Sequence, residues 1–118
     1  MSKKDKANLL SILDAIDKIL NYIKGITSAA QFYRSPLVFD ATLMNFIVIG
    51  EMVDRLSPEL RTRHSHIDWQ KIKDFRNIVA HDYMGVDAEE VWQIIHSHLP
   101  GVQSRIKDIL EKMPNEKK

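Results

Sequence analysis

The sequence contains no cysteine. This absence excludes a disulfide framework and a zinc site with thiolate ligands. No apolar run approaches the roughly 20 residues of a membrane-spanning helix. The start Met-Ser-Lys-Lys-Asp-Lys is not followed by the uninterrupted apolar block of a signal peptide. We therefore expect a cytoplasmic protein without a membrane partner.

The sequence has almost no net charge, because 17 Lys and Arg residues stand against 16 Asp and Glu residues. No protein-wide field therefore attracts nucleic acid, and RNA binding has to depend on a local patch. Residues 55–76 contain six basic side chains and three acidic ones, whereas residues 82–90 contain four acids and no Lys or Arg. Charge alone does not distinguish an RNA-binding patch from ordinary solvent-exposed helix faces.

Strand-type alternation and internal repeats are also absent, and apolar residues instead recur at steps of three and four. Over residues 8–24 this spacing predicts an amphipathic helix that Gly25 ends. Its apolar residues exceed what one core face needs, so the helix either fills the core or offers part of its surface to a partner subunit. The surplus residues are Leu9, Leu10, Ile12 and Ile16.

Further helices are predicted along the rest of the chain. A short helix is predicted over residues 28–34, before a break at Ser35-Pro36. Asp40 is the expected N-cap of the next helix, which continues through Leu56. Gly50 inside that helix indicates close approach of another helix. Ser57-Pro58 opens a short turn of helix. Asp68 caps a helix that ends at His81, and Asp87 begins a last helical region that kinks at Pro100-Gly101. The predicted fold is an all-α antiparallel bundle of four to five helices, with one domain over residues 1–113 and a flexible tail over residues 114–118.

The stretch Phe75-Arg76-Asn77-Ile78-Val79-Ala80-His81-Asp82-Tyr83 is the candidate active site. An arginine keeps its charge and offers a planar fork of donors to phosphate, and a histidine exchanges protons near neutral pH. Five residues of helix turn through about 140°, so Arg76 and His81 do not share a stripe. Either Arg76 reaches round, or it meets the His81 of a second copy. Asn77 lies four residues before His81 and is expected to orient the imidazole.

The pattern Arg76-Asn77-x-x-x-His81-x-Tyr83 resembles the Arg-x4-His-x-Tyr motif of the HEPN ribonucleases, and the nearest branch is HepT. The resemblance extends to the segments IVIGE (47–51), DWQKI (68–72), HDYMGVD (81–87) and VW (91–92), so it covers roughly residues 8–112. It implies a HEPN-like helical bundle. It also implies the toxin of a toxin–antitoxin pair, an RNase silenced by an MntA-like nucleotidyltransferase that attaches AMP to the motif tyrosine, Tyr83.

The resemblance assigns roles to the candidate residues. His81 is the expected general base or acid, and Arg76 is expected to bind the scissile phosphate and stabilise its developing charge. Asp82 is a neighbour that would alter the pKa of His81. The expected enzyme is a dimeric, metal-independent endoribonuclease in which a ribose 2′-hydroxyl attacks the phosphodiester, without a cofactor. The product ends are then a 2′,3′-cyclic phosphate or a 3′-phosphate.

Other interpretations remain open at this point. A HEPN domain that binds nucleotide or acts as a scaffold for a nucleotidyltransferase, without cleaving RNA, is one alternative. A helical interaction module in which the motif is structural is another. His96 and His98 diverge by about 200° on a helix and do not chelate one ion, and His64 and His66 lack a third ligand, so no metal site is expected. Trp69 and Trp92 are expected in the core.

Overall fold

The computed structural model describes residues 3–80 and 85–113, and throughout these residues the chain is helical or in turns, with no strand. Five longer helices are joined by two short ones, α2 and α4. The bounds are α1 Lys3–Tyr22, α2 Ala29–Tyr33, α3 Pro36–Asp54, α4 Pro58–Arg63, α5 Trp69–Ala80, α6 Ala88–Ser97 and α7 Leu99–Lys112. The all-α prediction is confirmed, while the predicted tail over residues 114–118 lies outside the described residues.

Most predicted helix starts are confirmed by capping hydrogen bonds. Ser28 and Ser57 accept from the backbone N–H groups of Gln31 and Leu60. Asp68 accepts from the N–H of Lys71 at 3.0 Å, and Asp87 accepts from that of Glu89 at 2.9 Å. Each cap satisfies an N–H group that the first turn of a helix leaves without a backbone partner.

Helix α1 begins at Lys3 rather than at the predicted residue 8, and two predicted boundaries near prolines are also wrong. Asp40 does not cap α3, because that helix begins at Pro36 and carries Asp40 inside it. Proline suits the first helical position, where its missing N–H is not needed and its fixed φ already fits. The break in the last helical region falls at His98, before Pro100, which lies in the first turn of α7.

The core is centred on α3, which packs against α1 and α5, while α7 lies on α1 and α6 lies on α2. Leu9, Ile12 and Ile16 of α1 are fully buried, and Leu10 is 47% exposed. The apolar surplus of α1 is therefore used almost entirely within the chain. The rings of Phe46 and Phe75 stack with centroids 5.3 Å apart and join α3 to α5.

Helix α3 is also the one helix of the described residues that is long and apolar enough to cross a membrane. The sequence was expected to contain no such stretch. Length and composition are weak evidence of a span, because core helices of soluble proteins pass the same test. Helix α3 packs between α1 and α5, and 33% of its apolar window is buried inside the protein.

Gly50 allows α3 and α5 to approach closely, as its position inside a helix predicts. A Cβ atom on Gly50 would lie 2.5 Å from Cβ of Arg76 and 2.9 Å from the carbonyl oxygen of Lys73. Helix α5 therefore rests directly on the backbone of α3 at the residue that carries the candidate guanidinium.

Replacing Gly50 with alanine should destabilise the protein by about 1–3 kcal/mol, because the two helices have to separate to admit the methyl group. Unfolding in denaturant measures the loss. The matched control is Gly101→Ala in α7, where a Cβ meets only Nη1 of Arg105 at 3.5 Å and helix propensity favours alanine by up to about 1 kcal/mol. A Gly50→Ala protein as stable as its parent would show that α5 is not held at this contact.

Candidate active site

Arg76 is held at the surface by a partner on the neighbouring helix. Its Nη1 donates to Oε2 of Glu51 at 2.7 Å, and the two side chains are 29% and 40% exposed. The close contact at Gly50 fixes the start of the Arg76 side chain, and the ion pair fixes its end. The guanidinium is therefore both oriented and accessible to a ligand.

Glu51 is the residue whose role the sequence does not reveal. It lies 25 positions before Arg76. Contact between residues so far apart depends on how their two helices pack. The only local signal is its place next to Gly50, where α5 comes closest. A guanidinium has five N–H donors. The contact with Glu51 uses one, and no further hydrogen bond of the guanidinium is made with the described residues.

A second ion pair joins the same two helices one turn away. Nζ of Lys73 lies 2.8 Å from Oδ1 of Asp54. The hydrogen bond and charge of Lys73 hold the pKa of the Asp54 carboxyl below its ordinary value, with smaller contributions from Arg76 and Arg61. Lys73 thus pairs with Asp54 as Arg76 pairs with Glu51, which leaves Arg61 as the one cation in excess among these five groups.

The predicted basic patch is only partly neutralised. Lys73 and Arg76 have acidic partners, whereas four basic residues of the patch form no ion pair with the described part of the chain: Arg55, Arg61, Arg63 and Lys71. The local excess of positive charge that RNA binding requires is therefore present on α4 and α5 and beside them.

Asn77 is anchored to the preceding turn of α5. Its amide Nδ2 donates to Oδ1 of Asp74 at 3.2 Å, and the same oxygen accepts from Nε2 of Gln70 at 2.8 Å. No described residue donates to the carbonyl oxygen of Asn77. That oxygen is the group an imidazole N–H requires as acceptor, so the anchored amide is compatible with the predicted contact to His81.

His81, Asp82 and Tyr83 lie outside the described residues. In the sequence His81 directly follows Ala80, the last residue of α5, and the described chain resumes at Gly85 before α6. The structure thus pairs Arg76 with Glu51 and anchors the next residue of α5, Asn77, to Asp74. The assignments of the general base, its acidic neighbour and the acceptor tyrosine remain predictions.

Three of the four histidines other than His81 contact a neighbouring ring. The rings of His64 and His66 lie 6.1 Å apart, and burial lowers the pKa of His64, which favours the neutral imidazole. His96 packs on Trp92 with ring centroids 4.3 Å apart. Trp92 in turn packs on the buried Phe32 at 5.5 Å. Trp69 is buried, as predicted.

Comparison with known proteins gives this geometry its context. The family model described as ribonuclease HepT-like matches residues 12–109. A protein of Caldanaerobacter subterraneus subsp. tengcongensis named "Putative RNase" is 31% identical over 110 residues, covering 93% of this chain and 97% of that protein. A Methanocaldococcus jannaschii protein of the same designation is 31% identical over 117 residues, covering 95% of this chain and 100% of that protein.

A longer relative shares the same region. The Methanocaldococcus jannaschii protein named "Gamma-glutamylcyclotransferase and putative RNase" is 31% identical over 117 residues, which cover 99% of this chain and 52% of that protein. No solved structure matches the chain significantly. The family match spans most of the chain and includes α5 with Arg76. The chain therefore belongs to the HepT-like ribonuclease family of helical HEPN domains.

Proposed function

We propose that this protein is the toxin of a toxin–antitoxin pair and acts in the cytoplasm as a metal-independent endoribonuclease. The observation that carries the proposal is the accessible guanidinium of Arg76, fixed by Glu51 and by the contact at Gly50. This cation stands at the arginine of an Arg-x4-His pattern in a chain of a ribonuclease family. A held cation with free donors suits a phosphodiester whose charge grows during cleavage.

The proposed reaction needs one proton acceptor and one cation. His81 takes the proton of the ribose 2′-hydroxyl, and the 2′-oxygen forms a bond to phosphorus while the bond from phosphorus to the 5′-oxygen breaks. His81 then returns the proton to the leaving 5′-oxygen. Arg76 donates to the non-bridging oxygens, and Asn77 orients the imidazole through its carbonyl oxygen. The product is a 2′,3′-cyclic phosphate, which water opens to a 3′-phosphate.

A homodimer with a shared cleft is part of the proposal, and α3 supplies the supporting surface. Leu37 is 87% exposed and Met44 is 58% exposed. These residues and Glu51 are seven apart, so they share one stripe of the helix. Pairing two copies along this stripe buries the apolar side chains and brings the two Arg76–Glu51 pairs toward each other. The interface is therefore proposed on α3 rather than on α1, whose apolar residues are mostly buried.

Inhibition by an MntA-like nucleotidyltransferase is proposed from the family resemblance and from Tyr83 at the acceptor position. The phenolic oxygen of Tyr83 attacks the α-phosphate of ATP, and pyrophosphate leaves. The attached AMP adds bulk and negative charge close in sequence to Arg76, and so opposes RNA phosphate binding. Co-expression with the antitoxin should add the mass of one or more adenylyl groups. A Tyr83→Phe protein that gains the same mass would place the acceptor elsewhere.

The test of the proposed activity is cleavage of a defined RNA by the purified protein in excess chelator. Cleavage should persist, with products that end in a 2′,3′-cyclic phosphate or a 3′-phosphate. Intact mass must first establish that Tyr83 is unmodified. Loss of cleavage in chelator would contradict the metal-independent mechanism. RNA or nucleotide binding without any scission would favour the non-cleaving HEPN domain that partners a nucleotidyltransferase.

A further inference from the structure

A groove separates α5 from α6 and the start of α7. Its main cavity has a volume of about 420 Å³ and continues into a smaller one of about 130 Å³ that ends at Arg105. We call this the α5–α6 groove. Its principal lining residues are Lys71, Phe75, Ile78, Ile94, Ser97 and His98. The main cavity falls within the range of pockets that hold small ligands.

The end of the groove toward α7 is cationic. Lys71 and Arg105 both line the smaller cavity, and neither forms an ion pair with a described residue. The acid beside them, Asp68, accepts the backbone N–H of Lys71 in the helix cap. At the other end, Asp74 accepts from two amides, and Glu90 lies in the first turn of α6. The groove as a whole has two cations and three acids, so only its end toward α7, where Lys71 and Arg105 accompany Asp68, has a net positive charge for an anionic ligand.

The floor of the groove is apolar and its rim is polar. Phe75 and Ile94 are buried, and Ile78 is partly buried beside them. The hydroxyl of Ser97 and the imidazole of His98 stand at the edge and donate or accept hydrogen bonds. Single-stranded RNA is commonly recognised by apolar or aromatic surfaces against its bases, polar groups at the base edges and cations along its backbone.

We infer that the α5–α6 groove binds nucleotides of the RNA substrate that flank the scissile phosphate. Lys71 and Arg105 contact their phosphates, and the Phe75–Ile94 floor receives a base. The inference deepens the proposed function, because it takes RNA to be the ligand.

The spacing of residues along α5 sets the length of RNA that can contact both Arg76 and the α5–α6 groove. Arg76 and Lys71 are five residues apart, which is about 7.5 Å along the helix axis and about 140° around it. At the roughly 3.4 Å rise of a stacked nucleotide strand, the axial part of this separation alone corresponds to about two nucleotides, and the strand also has to pass around α5. The bond from Asn77 to Asp74 links the two faces of α5, since Asp74 lines the groove and Asn77 adjoins Arg76. An RNA of more than two nucleotides is therefore needed to occupy both faces.

The test measures binding with an RNA that is not cleaved. Fluorescence anisotropy compares a fully 2′-O-methylated hexanucleotide with the corresponding dinucleotide, because a methylated 2′-oxygen does not attack the phosphate. The parent should bind the hexanucleotide at least about tenfold more tightly. Lys71→Gln and Arg105→Gln should each remove most of this advantage. Each should also lower the slope of log Kd against log salt by about 0.7, the value for one lost phosphate contact on a single strand.

Lys107→Gln is the matched control, because it removes the same charge from the exposed face of α7 outside the groove. It should leave the binding advantage and the salt slope unchanged. Equal binding of the two RNAs by the parent, or an equal loss in Lys107→Gln, would overturn the groove assignment. The outcome is separable from that of the proposed function. A protein that binds through the groove and cleaves nothing refutes only the nuclease proposal, and one that cleaves while both groove variants bind normally refutes only the groove.

Discussion

Replacing His81 with alanine should lower the rate of RNA cleavage by about a hundredfold or more, because a positioned general base or acid contributes about 10²–10⁴ to such reactions. The 2′-hydroxyl is a weak nucleophile while it keeps its proton, and in the proposed reaction no other described group next to Arg76 is placed to take it. Oε2 of Glu51 already accepts a hydrogen bond from Nη1 of Arg76 at 2.7 Å. Single-turnover cleavage of a defined RNA in excess chelator measures the effect.

The matched control for this prediction is His66→Ala. His66 is exposed on the loop between α4 and α5, outside the candidate site. Its removal should leave the rate within about twofold of the parent, as expected for a surface substitution. Helical circular dichroism and the unfolding midpoint must be unchanged in both variants. If a folded His81→Ala protein keeps more than about a tenth of the parental rate, His81 is not the general base or acid.

Sequence reasoning succeeded where the determinants are local. Ser28, Ser57, Asp68 and Asp87 were identified as helix starts, and each cap is made within three residues. The glycine inside α3 also indicated a close helix approach, because glycine inside a helix is costly unless its missing side chain is used. The failure at Asp40 was local as well. Ser35-Pro36 was interpreted as a break, whereas Pro36 occupies the first position of α3 and the helix begins there without a side-chain cap from Ser35.

Sequence reasoning did not find what depends on tertiary packing. The partnership of Glu51 with Arg76 joins residues of two helices, and one sequence contains no signal of it beyond the neighbouring glycine. The spacing of apolar residues in α1 is the same whether they face the core or a partner subunit, so the sequence did not distinguish the two. Packing against α3 and α7 resolved this in favour of the core. The sequence of α3 has apolar residues on most sides of the helix, so it did not indicate that Leu37 and Met44 are the exposed ones.

Two inactive variants should restore activity when they are combined in one dimer. The Arg76→Ala chain keeps His81, and the His81→Ala chain keeps Arg76. If each site takes its arginine from one subunit and its histidine from the other, a dimer containing one of each chain has one complete site. Differently tagged chains, co-expressed and purified through both tags, should recover about half of the parental activity per dimer, since a two-fold symmetric dimer has two such sites.

The angular mismatch between Arg76 and His81 and the exposed stripe on α3 both support a site shared by two subunits. A doubly tagged dimer of two Arg76→Ala chains is the control and should stay inactive. Light scattering must show a dimer for every preparation. An inactive mixed dimer would mean that each site is complete within one chain, so that Arg76 reaches its own His81 around α5. A monomeric parent would remove the shared cleft altogether and leave the apolar stripe of Leu37 and Met44 to another partner.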